Sequence, residues 1–163
     1  MDSPKKTKIT DPKVALTKAE HYCAYQERSQ QEVRDKLYEW GLWPDAVENI
    51  ISELIGGNYL NEERFAKAYT QGKFKQKGWG RIKIKQGLKF KKVPDVLIKK
   101  ALMGIDGDDY LQMLAAVLAK KARTVAEKDS FKRSYKLQSY ALSRGFEADL
   151  ILDVLKELNH GER

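Results

Sequence analysis

Residues 29–54 read SQQEVRDKLYEWGLWPDAVENIISEL. Ser29 with Glu32 three positions later is a capping box, in which each side chain meets an orphan amide of a helix's first turn. Val33 and Leu37 then share one helical face until Gly41 stops the run. Pro44 suits the first turn of a second helix, Asp45 stands behind it, and Val47, Ile50, Ile51 and Leu54 recur at helical spacing. The stretch predicts two helices joined by a tight turn, and the chain repeats it. Moving 51 positions on superposes Val33, Leu37, Leu42, Val47 and Ile51 on Ile84, Leu88, Val93, Ile98 and Leu102. A further 53 positions reaches Leu137, Ala141, Phe146, Ile151 and Leu155. Gly41 and Gly145 hold the same turn position, where Lys92 stands in the middle copy. Self-similarity at a near-constant period marks an array whose units pack mainly on their neighbours.

Each copy is preceded by one more helical pattern. Lys13–Glu27 places Ala15, Ala19, Tyr22 and Cys23 on one face; Phe65, Ala66 and Tyr69 follow Asn61, a good cap; a long segment runs from about Asp109 to Thr124. Gly56-Gly57-Asn58, Gly78-Trp79-Gly80 and the Gly104–Asp108 stretch punctuate the chain. The last helix is expected over about Glu147–Asn159, leaving His160 in a frayed tail. The fold class is therefore all-α: three tandem three-helix, helix-turn-helix-like repeats, elongated and curved. Their bounds are 13–57, 58–105 and 106–163, after a disordered basic arm at 1–12.

Charge is distributed unevenly. Between Arg64 and Lys100 stand thirteen Lys/Arg and one acid, Asp95, while residues 1–63 carry −4 and residues 101–163 carry none net, within a total of +8. Such a concentrated field attracts polyanions and weakens with salt. Across the chain 33% of residues are charged, above the usual ~25%. The single Cys23 forbids an intrachain disulfide and suits a reducing cytosol. No apolar run approaches the ~18 residues that cross a bilayer, and the lysine-rich start lacks a signal peptide's apolar core. A cytoplasmic protein without a membrane partner is expected.

Within the basic third, Arg81, Lys85, Lys89 and Lys92 fall on one arc of a helix at 100° per residue, with Ile84 and Leu88 on the adjoining core arc. Lys73, Lys75 and Lys77 lead up to Trp79, and Lys91 extends the run. These residues are the candidate nucleic-acid contacts. The plainer reading, a solvated lysine face, fits poorly with a 37-residue stretch holding one acid. Lysine over arginine favours backbone contact over base reading. Trp79 fits either stacking on a base or partner, or plugging a corner between helices. No catalytic constellation, metal set or cofactor loop is present: His21 and His160 lack partners, Cys23 reads as packed, and Asp106, Asp108 and Asp109 read as a helix-capping loop.

At Tyr59-Leu60-Asn61-Glu62-Glu63-Arg64-Phe65-Ala66 the chain resembles the RecX family of bacterial recombination regulators, whose "Y-L-D-D-x-R-F-A" block precedes a basic helix and a "G-x-x-x-I-x-x-x-L" block. Gly80, Ile84 and Leu88 match the second block; Ser29, Glu32, Val33, Leu37 and Gly41 match the family's "S-x-x-E-L" start; Arg144-Gly145-Phe146 resembles its "R-G-F" turn. Gly87 replaces an acid, Lys92 a turn glycine and Asn61-Glu62 paired acids. The likeness covers about residues 13–158. It implies no enzymatic activity. The implied partner is RecA, bound along the groove of its filament on single- or double-stranded DNA. The implied effect, in DNA repair and the SOS response, is inhibition of strand exchange, ATP hydrolysis and LexA-type coprotease activity. The alternatives are a free-standing helix-turn-helix DNA-binding regulator and a helical adaptor. A base-reading helix would open with Arg, Asn or Gln, and such proteins usually dimerise; the lysines and the lack of a dimerisation element favour a monomeric filament modulator.

Overall fold

The computed structural model describes residues 8–161. Among them are nine helices and no strand: α1 (Pro12–Tyr25), α2 (Gln30–Glu39), α3 (Pro44–Gly56), α4 (Glu62–Lys77), α5 (Arg81–Phe90), α6 (Asp95–Met103), α7 (Gly107–Ala122), α8 (Ser130–Ser143) and α9 (Ala148–Gly161). They pack as α1–α3, α4–α6 and α7–α9, three successive three-helix units. The surface of 10939 Å² exceeds by about a third the ~8,300 Å² of a compact monomer of 18.7 kDa, as an elongated array requires.

The repeat is visible in the backbone. Gly41, Lys92 and Gly145 all take positive φ, at 104°, 60° and 97°. Each sits just past a helix end in a Schellman motif. Leu42, Val93 and Phe146 donate their N–H to the carbonyls of Leu37, Leu88 and Ala141 at 3.2, 3.1 and 3.2 Å. Gly41, Lys92 and Gly145 donate to Tyr38, Lys89 and Leu142 at 3.0, 2.9 and 2.9 Å. The apolar contact that accompanies the motif joins the same residues that superpose in sequence, and all six are buried. Lys92 is the one non-glycine of the three, and a side chain there costs about 1–2 kcal/mol, partly offset by its lower unfolded-state entropy. Lys92→Gly is expected to raise stability by about 0.5–1 kcal/mol, read as a denaturation midpoint shifting up.

Local signals place the helices. Asp11 caps α1 and Pro12 opens it; Ser29 and Glu32 form the expected capping box; Asn61, Asp106 and Asp129 cap α4, α7 and α8. Three expectations shift. Asp106 does the capping, so α7 starts at Gly107 and takes Asp108 and Asp109 into its first turn. The last helix continues through His160 to Gly161 instead of fraying. Of the arm expected at 1–12, residues 1–7 lie outside the described residues, while Ile9 donates its N–H to the Trp40 carbonyl at 2.8 Å and packs on the first core.

Among the described residues the buried apolar side chains form two cores. Unit one encloses its own cluster around Val33, Leu37, Val47 and Leu54. Units two and three share one, running from Phe65 and Leu88 through Tyr110 to Phe146 and Leu155. Phe74 stacks on Tyr110 at 5.9 Å, and Tyr110 meets Phe146 edge-on at 5.2 Å. The joint between these units is backbone against backbone. Gly80 N–H donates to Arg144 O at 2.8 Å and Ile82 N–H to Gly145 O at 3.0 Å. Units one and two instead meet through polar groups. Gln30 N–H donates to Glu62 at 2.9 Å, Arg64 pairs with Glu27, and Lys91 reaches Glu32 at 3.5 Å. Such half-exposed pairs contribute little each, about 0–1 kcal/mol.

Candidate nucleic-acid interface

The thirteen cations of the second unit divide once distances are known. Five have carboxylates within reach: Arg64 with Glu27, Lys67 with Glu63 at 3.3 Å, Lys100 with Glu63 at 2.6 Å, Arg81 with Glu147 at 2.8 Å, and Lys91 with Glu32 at 3.5 Å. Lys100, then Lys67, hold the Glu63 carboxyl below its ordinary range. The others, Lys73, Lys75, Lys77, Lys83, Lys85, Lys89, Lys92 and Lys99, have no acid within 4 Å among the described residues.

The expected strip is not one surface. Helix α5 ends at Phe90, so Lys91 is its cap residue and Lys92 turns away in the left-handed region. Neither continues the Arg81–Lys85–Lys89 row, because Schellman closure ends the helix two residues sooner than the charge pattern implied. Arg81 lines one cleft with Lys85 and Lys89 and also ties the joint. Its N–H donates to the Tyr110 hydroxyl at 2.9 Å, its guanidinium lies 3.9 Å from that ring's centre, and it pairs with Glu147. The Tyr110 hydroxyl donates to the same carboxylate, and burial, then this bond, push the phenol above its ordinary value. It remains a donor throughout the neutral range.

Trp79 packs at the corner between α4 and α5. Its ring is half-buried against the shared core, and Lys73 and Lys83 hold their ammonium groups 4.8 and 4.5 Å from its centre, one on either side in sequence. Lys73 also lies 5.4 Å from Tyr69. These cation–π contacts preset two positive charges at the helix corner.

Lys85 and Lys89 are exposed and share a cleft of about 740 Å³ between α5 and α6. Ile98, Leu102 and Ile105 floor it, Lys99 stands opposite the α5 lysines, and Asp95 is its one acid. Lys75 and Lys77 face elsewhere, into a cleft of about 400 Å³ against α7 and α8 that also holds Lys120, Lys121 and Arg144. Sequence reading missed Lys83, Lys99 and these three. Lys83 and Lys99 lie inside the basic third but off the expected arc, and residues 101–163 balance ten basic against ten acidic groups, which hides a local excess.

No group of three or more His, Cys, Asp or Glu that could hold a metal ion occurs among the described residues, and no helix there is long and apolar enough to cross a membrane. Cys23 is buried and its thiol is pushed up to about 11 by that burial, so it is not a thiolate at neutral pH.

Comparison with known proteins matches the three units one by one. Residues 15–54 match the model of the first three-helix domain of RecX, 61–102 the second and 108–155 the third. The Regulatory protein RecX of Prosthecochloris aestuarii is 31% identical over 149 residues, covering 91% of this chain and 96% of that protein. That of Clostridium perfringens is 32% identical over 138 residues, and that of Bacillus licheniformis 29% over 153. The chain spans only 64% and 57% of those two relatives' lengths. A crystal structure of RecX from Lactobacillus salivarius superposes with a TM-score of 0.82 at 24% identity, covering 91% of this chain and 96% of that one. That likeness establishes the shared fold.

Proposed function

The chain belongs to the RecX family of regulatory proteins, and on that footing we propose that it binds RecA, or RecA–DNA filaments, and lowers their ATPase, strand-exchange and coprotease activity. It acts as a cytoplasmic monomer in DNA repair and turns over no substrate. The observation that carries this reading is the set of second-unit cations without acidic partners, on a scaffold of tandem units that presents a long surface to a filament. Lys75, Lys77, Lys85, Lys89 and Lys92 make the contacts. Lys73 and Trp79 hold the corner between them. Arg81 and Lys91 act by fixing the units beside them.

The test is RecA ATPase on single-stranded DNA, titrated with wild type and with a Lys85→Glu/Lys89→Glu variant whose folding is checked by circular dichroism. Arg81 is left intact, because reversing it breaks the Glu147 pair and confounds contact with stability. The variant should need about tenfold more protein for half-inhibition, and wild-type binding should weaken steeply with salt. Equal inhibition by both proteins would remove α5 from the mechanism. A wild type that ignores RecA filaments yet binds DNA would favour the free-standing DNA-binding regulator.

A further inference from the structure

The cleft that receives Lys75 and Lys77 has a composition of its own. Those two lysines come from the last turn of α4, Lys120 and Lys121 from the last turn of α7, and Arg144 caps the end of α8. No Asp or Glu lines the cleft, and none of the five cations has a carboxylate within 4 Å among the described residues. Helix C-termini are negative, which accounts for each lysine on its own helix. It does not account for three helix ends, from two units, converging on one acid-free wall. Cations gathered in this way repel one another, and a bound polyanion removes that repulsion.

A second observation lies in Arg144. Its guanidinium donates to the Lys77 carbonyl, so the cation at the end of α8 is tied to the end of α4 across the cleft wall. Beside it Lys121 holds its ammonium 4.8 Å from the ring centre of the half-buried Tyr140, so an aromatic group stands among the cations. The two halves of the wall are held in register by the Gly80–Arg144 and Ile82–Gly145 backbone bonds.

We infer that this cleft binds the phosphodiester backbone of single-stranded nucleic acid, bridging the second and third units. Lysines supply point charges for phosphates, and an aromatic ring among cations suits unpaired bases better than a duplex. The inference rests on the polyanion-binding reading of the second unit. It adds a contact in a unit whose overall charge is zero.

The experiment is fluorescence anisotropy of a labelled oligo-dT across a salt series, with no other protein present. It compares wild type, Lys120→Glu/Lys121→Glu and Lys120→Arg/Lys121→Arg, with melting curves for each. The Glu pair should weaken binding about tenfold and flatten the salt dependence by about 1.4, two contacts at 0.7 each. The Arg pair should bind like wild type. Unchanged affinity in the Glu pair, or equal loss in both pairs, would overturn the inference. So would a wild type that inhibits RecA but binds no oligo-dT; the RecA reading would then stand, with an acidic protein surface as the occupant. Conversely, a wild type inert toward RecA whose oligo-dT binding falls in the Glu pair would support the cleft and remove only the RecA reading.

Discussion

Gly80→Ala is expected to destabilise the protein by about 3 kcal/mol, lowering its melting temperature by roughly 6–12 °C. The backbone of Gly80, with φ −79° and ψ 169°, is ordinary for alanine, so no conformational strain enters. The cost is contact. A Cβ there would lie 2.3 Å from Gly145 O and 2.5 Å from Phe146 N, backbone atoms that cannot rotate aside. Relief requires the second and third units to part, which removes the Gly80–Arg144 and Ile82–Gly145 bonds at about 1 kcal/mol each. Gly56→Ala is the control, since nothing lies within 4 Å of its Cβ position and a helical alanine stabilises by roughly 0.5 kcal/mol or more. Equal melting temperatures for Gly80→Ala and wild type would mean the two units do not touch in solution as they do here.

Leu88→Ala is expected to cost about 3–4 kcal/mol, within the range for a fully enclosed leucine. Leu88 lies in the core shared by the second and third units, so both should lose hydrogen-exchange protection together. Leu37→Ala removes the equivalent residue of unit one at a similar cost. Its effect should stay local, because that unit is joined to the next by half-exposed ion pairs and one amide-to-carboxylate hydrogen bond. Exchange measured across α1–α3 against α4–α9 decides the matter. Leu37→Ala loosening all nine helices equally would contradict two separate cores.

The elements and their repetition were legible in local sequence alone. A capping box, a turn glycine and apolar residues at helical spacing act over four to six residues, and the Schellman closures at Gly41, Lys92 and Gly145 satisfy those local demands. The excess of cations between Arg64 and Lys100 was equally plain, being a matter of counting. Tertiary structure decided which of those cations are free. Arg81 meets a carboxylate 66 positions away, and Lys75 and Lys77 face two helices of the next unit rather than the α5 lysines. It also merged the second and third cores through Tyr110, Phe74 and Phe146. Helix periodicity sets which face a residue occupies on its own helix and carries no information about what another unit places opposite that face. The partners follow from how closely Gly80 and Gly145 let two backbones approach, and only the folded chain brings those glycines together.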